Sequence, residues 1–386
     1  MNNFTFKIPT DIRFGQGQIK CLSEELRKYG NRVLLVYGGG SIKRNGIYDD
    51  VMKQLSDFEV YELSGITPNP RVSAVREGAK ICKENNIDVI LAVGGGSTID
   101  ATKHIAASAC YDGDPWDLVL DRSKVKKALP FAVVLTICAT GSEMNSGAVI
   151  TNEDTNEKLE INTPLLYPSL SICDPTYLYS LPKVQTAAGA VDILSHVMEQ
   201  YFQPNDEAYI TDALSEAVMK TVVKYALIAI DEPENYEARS NLMWASTVAL
   251  NHLLTVGKGG AWSVHPIEHV LSGFYDITHG IGLAILTPAW MEYVLTDENS
   301  HRFARFAREV FGVTEEDDMA AAKKGIDCLK MFFGDLEMPS KLSEVGIDES
   351  KFELMAKEAV RTSGISIRAY VKLDETDVVN ILNICK

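Results

Sequence analysis

Asp88-Val-Ile-Leu-Ala-Val93-Gly94-Gly95-Gly96-Ser97-Thr98-Ile99-Asp100 is an apolar run that stops at three glycines and passes into a helix-like segment reaching Ala107. A short apolar run bounded by glycine reads as a buried strand. Consecutive glycines let the backbone come close to a phosphate. The first turn of a helix adds unpaired N–H groups and a favourable dipole. The stretch therefore reads as strand, pyrophosphate cradle and helix, with Ser97 and Thr98 as hydroxyl donors. It has neither the G-x-G-x-x-G spacing nor the Lys-Ser/Thr ending of a P-loop. A tight strand-to-helix turn with no ligand is the plain alternative.

Working outward, Val33-Leu-Leu-Val-Tyr37 runs into Gly38-Gly39-Gly40-Ser41 in the same way. Phe58–Leu63 and Phe131–Thr136 have strand character, and Val72–Glu84 has helical spacing. This recurrence implies βαβ units and a mostly parallel sheet, whose ligands bind beyond the carboxyl ends of the strands. The first glycine loop is notable for what it lacks: no carboxylate lies between Tyr37 and Ile42. A carboxylate there would bond the ribose diol of NAD and repel the 2′-phosphate of NADP. Ser41 and the backbone donors can bind a phosphate, and Lys43 can offset its charge. Glu62, near the end of the next strand, is the alternative ribose acid, less favoured because the loop departs from the standard fingerprint. A third stretch, Thr136 to Asn145, carries small hydroxyl residues. These can hold a polar ring such as a carboxamide, or form an ordinary polar loop.

The rhythm changes near Leu181-Pro182. Beyond it, helical periodicity covers Gln185–Phe202, Ala208–Ile230, Tyr236–Leu254, Gly282–Leu295, His301–Phe311, Met319–Phe333, Phe352–Arg361 and Glu375–Cys385, the last with Asp374 as N-cap. A chain of 386 residues exceeds one ordinary core. Two domains are expected: an α/β, Rossmann-like dinucleotide-binding domain over 1–182 and an all-helical metal-binding domain over 183–386.

Only seven histidines are present, and five of them (His196, His252, His265, His269 and His279) fall between Asp192 and the end of the Asp276-Ile-Thr-His279 stretch. Asp192 and His196 are four apart in a helical segment, so they share a face about 6 Å apart along the axis. His265 and His269 repeat the spacing, with Pro266 either starting that helix or kinking it. His279 comes from the following turn. Side chains from three segments can enclose an ion and leave a position open for substrate. Oxygen and imidazole donors suit Zn²⁺ or Fe²⁺ better than Ca²⁺ or Mg²⁺. A lone helical histidine is more often a satisfied core residue. The cluster in a histidine-poor chain shifts that balance, and His104, His252 and His301 are read as structural.

The formal charge of −16 argues against a nucleic acid or an anionic membrane as the main partner. Seven scattered cysteines without C-x-x-C spacing argue against a disulfide framework or a thiolate metal site. The N-terminal stretch has no signal-peptide pattern and no apolar run has membrane-spanning length, so a cytoplasmic protein is expected.

Taken together, the motifs resemble the iron-containing alcohol dehydrogenase family. The nearer likeness is to its butanol dehydrogenase and NADPH-dependent aldehyde reductase branch. The likeness runs from Phe14-Gly15 to beyond Trp290. It rests on Asn69-Pro70, Gly94–Asp100, Ala139-Thr-Gly-Ser-Glu143, Asp192-x-x-x-His196, His265-x-x-x-His269 and His279-Gly280, in that order. It implies a dehydroquinate synthase-like fold and Asp192, His196, His265 and His279 as metal ligands, with Fe²⁺ favoured and Zn²⁺ possible. His269 then becomes a near-site residue that relays a proton. Gly38, Gly39 and Ser41 belong to the cofactor-selecting loop, and Gly39 stands where NAD-preferring members often have Asp, which implies NADP(H). Gly95, Gly96 and Ser97 would contact the pyrophosphate, with Asp100 closing their motif. Thr136, Thr140, Asn145 and Lys158 would line the ribose and nicotinamide. A homodimer acting on small aliphatic aldehydes or alcohols is implied. Cys138-Ala139 departs from the family's usual Pro or Thr before the Thr-Gly-Ser-Glu run. The rival reading is a fold-related cyclase such as dehydroquinate synthase. It would need several basic residues for a phosphorylated acid, and Lys258 is the lone clear one near the histidines.

Overall fold

The computed structural model describes residues 1–386, which divide into two compact units. One comprises Lys7–Leu181 and Pro233–Asn251, the other Met1–Phe6, Pro182–Glu232 and His252–Lys386. The helix Tyr236–Ala249 thus groups with the α/β unit. The boundary expected after residue 182 has it in the helical half. Periodicity reports that a segment is helical but not which core it packs against.

Eight strands form the β-structure: β1 (Asp11–Phe14), β2 (Arg32–Tyr37), β3 (Glu59–Leu63), β4 (Val89–Gly94), β5 (Phe131–Leu135), β6 (Gly147–Asn152), β7 (Glu157–Asn162) and β8 (Leu170–Cys173). Six make one sheet in the order β1-β8-β5-β4-β2-β3, and every pairing in it is parallel. β4 and β5 are buried along their whole length, as strands covered on both faces must be. That is why they read as unbroken apolar runs. The register sets Tyr37 opposite Val93 and Gly94 opposite Leu135. Therefore the loops after β2, β4 and β5 leave the sheet along one edge. β6 and β7 form a separate antiparallel hairpin.

The helical unit is built around Lys183–Tyr201, buried almost continuously from Thr186 onward, and His279–Val294, equally buried. Tyr209–Asp231, Val264–Tyr275, Ser300–Phe311, Asp318–Asp335, Phe352–Thr362 and Glu375–Ile384 complete it. Phe202 lies against Phe303, Phe306 and Trp290 in its core. Asp374 caps the last helix as expected, accepting from the Thr376 and Asp377 amides, while Asp377 reaches back to the Asp374 amide. No helix is long and apolar enough to cross a membrane.

Candidate functional site

The helical unit gathers the histidines. Asp192 and His196 lie one turn apart on Lys183–Tyr201, both buried. His265 sits in the first turn of Val264–Tyr275. Pro266 follows it, so this proline starts the helix, where its missing N–H leaves no bond unmade. Asp276, at φ 52° in the left-handed region, ends that helix. Three residues later the chain enters His279–Val294, with His279 as its first residue rather than part of the preceding turn. Gly280 follows. A Cβ there would run into the backbone carbonyl of Ala188, one turn before Asp192. Only glycine lets the two helices approach closely enough to carry His279 to Asp192.

One donor atom from each of Asp192, His196, His265 and His279 lies within 4.8 Å of the others. Asp192 Oδ1 is 3.5 Å from both His196 Nδ1 and His279 Nε2. A tetrahedral ion with bonds near 2.1 Å would separate its ligands by about 3.4 Å. His265 is 2% exposed, yet its Nε2 has no hydrogen-bond partner. A bare ring nitrogen in the interior costs free energy unless something binds it. One carboxylate and three imidazoles are the donor set that Fe²⁺ or Zn²⁺ takes, so these residues fit a divalent transition metal.

Two buried carboxylates stand behind this cluster, and neither is legible as functional from spacing. Glu199, one turn beyond His196, accepts from the backbone amides of Ser263, Val264 and His265 at 2.7, 2.7 and 2.8 Å. It also meets His265 Nδ1 at 3.1 Å. One side chain thus caps the His265 helix and aims its imidazole, leaving Nε2 for the cluster. Glu268 aims the imidazole of His279 in the same way, engaging its Nδ1, and also takes the Ser272 hydroxyl. Gly282 leaves room for it, since a Cβ there would come within 2.8 Å of the Glu268 side chain. Trp262 closes one side, its ring 4.6 Å from His265 and 5.7 Å from His196. His269 lies just outside the four, its ring 5.5 Å from His279 and 6.1 Å from His265.

The α/β unit carries the three loops. After β4, Gly95 and Gly96 open the helix Gly96–Ser108. A Cβ on Gly95 would lie 2.8 Å from Ile137 Cβ, and one on Gly96 would strike Thr140. The loop after β5 lies that close. Thr136 ties the two together, its amide donating to the Gly94 carbonyl at 3.0 Å. Ser97 lies in the opening turn, where helix amides have no internal partner. Asp100 and Asn145 hold the loop rather than presenting free polar atoms. Asp100 accepts from Ser142 Oγ at 2.6 Å and the Val149 amide at 2.9 Å, and burial pushes its carboxyl up. Asn145 accepts from Lys103 Nζ at 2.8 Å and the Gly147 amide, and donates to the Gly141 carbonyl. Lys103 is fully buried, and that burial lowers it to about 8. Lys158 lies half-buried on β7 opposite Thr151. In the first loop Gly40 takes the left-handed φ of 87°, while Gly38 and Gly39 do not. A Cβ on Gly39 would meet open space. Ser41 starts the short helix that follows.

Residues 9–175 match the family model for iron-containing alcohol dehydrogenase, and residues 186–385 match that for the C-terminal part of the Fe-containing alcohol dehydrogenase family. The chain is 51% identical to NADH-dependent butanol dehydrogenase A of Clostridium acetobutylicum, with 99% of each chain covered. It is 38% identical to NADPH-dependent aldehyde reductase YqhD of Escherichia coli, with 93% of each covered. The crystal structure of NADH-dependent butanol dehydrogenase A from Thermotoga maritima superposes with a TM-score of 0.95 at 42% identity, covering 100% of this chain and 99% of that one.

Proposed function

The chain belongs to the iron-containing alcohol dehydrogenase family, and from that premise we propose that it interconverts small aliphatic aldehydes and alcohols, butanal and butanol among them, using NADP(H) and one divalent metal, Fe²⁺ before Zn²⁺. The observation that carries this is the convergence of Asp192, His196, His265 and His279 on one point. A bound ion supplies Lewis acidity toward a substrate oxygen, and a nicotinamide supplies the hydride.

The remaining work falls to this chain's own residues. Asp192 and the three imidazoles hold the ion, with Glu199 and Glu268 fixing the orientation of His265 and His279. Trp262 keeps bulk water from the His196 and His265 side. His269, half-buried beside His279, holds or passes the proton that the product alcohol requires. The amides of Gly96 and Ser97 at the helix opening receive the pyrophosphate. Gly38, Gly39 and Ser41 receive the adenosine end, where the absence of a loop carboxylate favours the 2′-phosphate. We take the working form to be a homodimer.

The test is direct. Metal-loaded protein mixed with NADPH and butanal should give sustained loss of cofactor absorbance. The Asp192→Ala variant should lose both bound metal and turnover. An Asp192→Ala protein that turns over at the parent rate in chelated buffer would remove the metal from the reading.

A further inference from the structure

One charged cluster beside the first glycine loop has no part in the function above. Glu62 lies on β3, opposite Leu35 of β2, and its side chain reaches the end of β2. Tyr37, the last residue of β2, donates its hydroxyl to Glu62 Oε2 at 2.6 Å. Tyr48 donates to Oε1 at 2.6 Å. Lys43 Nζ stands 3.5 Å from Oε2 and lies over both phenol rings, 5.1 Å from the Tyr37 centroid and 4.4 Å from that of Tyr48. Burial works to raise the Glu62 carboxyl, but the two phenols and Lys43 outweigh it and hold it low. Glu62 is therefore ionised, with both oxygens engaged.

Such a carboxylate, at the end of the strand after the first βα unit, would ordinarily accept from a ribose diol. Here two phenols occupy it instead. Its charge remains, and the cation it pairs with is Lys43, two residues beyond Ser41 and the nearest one in sequence to the glycine loop. We propose that Glu62 is a specificity-determining residue: by holding Lys43 it withholds from the Gly38–Ser41 loop the positive charge that a 2′-phosphate would recruit, and so keeps NADH usable beside NADPH.

The inference rests on the reading that this loop receives the adenosine end of the cofactor. The experiment separates the two. Binding of adenosine 2′,5′-bisphosphate and of AMP to the full chain is measured by calorimetry at low salt, for the parent, Glu62→Gln, and Glu62→Gln with Lys43→Met. Glutamine keeps the shape and a hydrogen bond to a tyrosine but removes the charge. Glu62→Gln should tighten the bisphosphate three- to tenfold and leave AMP within twofold, which also shows that the loop is intact. Adding Lys43→Met should abolish the gain, and raising the salt should shrink it. An unchanged bisphosphate-to-AMP ratio in Glu62→Gln, or a gain that survives Lys43→Met, overturns the role of Glu62 and leaves the loop reading standing. A parent protein that binds neither nucleotide overturns the loop reading and the inference with it.

Discussion

Single atoms decide whether the histidine cluster works. Glu199 satisfies three backbone amides and one imidazole nitrogen with two oxygens, all inside the protein. In Glu199→Gln an amide NH₂ faces N–H donors at one of those positions, so the His265 helix opening loses an acceptor and the ring loses its guide. Metal affinity, measured by competition with a chelator, should fall about 10- to 100-fold, the usual cost of removing such a partner. Glu199→Asp should recover part of it. A second prediction concerns Gly39, whose Cβ direction is open and whose φ is ordinary. Gly39→Asp should fold normally and shift the ratio of kcat/KM for NADPH over NADH toward NADH by tenfold or more. An unchanged ratio would detach this loop from cofactor choice. At this scale the sequence was legible where the signal is a spacing. Asp192 and His196 share a helical face by arithmetic, and histidine is rare in this chain. Glu199 and Glu268 were not legible, because among 53 acidic residues nothing in a sequence separates a buried carboxylate from a solvated one. The hold of Glu62 on Lys43 depends on β3 lying beside β2, which no local pattern reports.

Whole elements are placed by contacts a few tenths of an ångström deep. The His279–Val294 helix reaches Lys183–Tyr201 because Gly280 lets backbone meet backbone at Ala188. Gly280→Ala would intrude on a carbonyl, which is not the movable end of a side chain, so the helices must separate. We expect a loss of about 1 to 3 kcal/mol in unfolding stability, as for other overpacked interiors, and weakened metal binding from the displacement of His279. Denaturant unfolding with and without metal would show both. A variant that binds metal normally would mean that His279 tolerates the shift. Elements buried on both faces, such as β4 and β5, announced themselves as apolar runs. β1 and β8 did not. Each has four residues and β1 is half-exposed; β1 earns strand status by pairing with β8, far along the chain, and β8 by pairing with both β1 and β5. The β6–β7 hairpin was hidden as well, because Glu157–Asn162 is charged, at least partly open to solvent along most of its length and carries no unbroken apolar run.

At the scale of the molecule, buried ionisable groups tie stability to pH. His104, inside the helix Gly96–Ser108, is 2% exposed and is driven down to about 4, chiefly by burial. Its bond to the Ala148 backbone opposes the fall, and the neighbouring Lys103 adds to it. Its unfolded value is about 6.5. Between those values the unfolded chain takes up a proton that the folded chain refuses, so this residue's contribution to stability falls as the pH falls. The slope can reach about 1.4 kcal/mol per pH unit within that window. Lys103 works in the same direction at a higher range: lowered to about 8, it also makes the folded form poorer in protons than the unfolded one as the pH drops toward that value. Other buried groups titrate too, so the informative quantity is the difference between the parent and His104→Asn. Urea midpoints of the two proteins should be compared at pH 7 and pH 5. The parent should lose more stability than the variant over that interval, by on the order of 1 to 2 kcal/mol. Parallel losses would mean that His104 takes up its proton while still folded, and that the interior around Ala148 admits charge at no cost. The residue that spacing set aside as structural would then be the one that exposes how loosely this unit is packed behind its glycine loops.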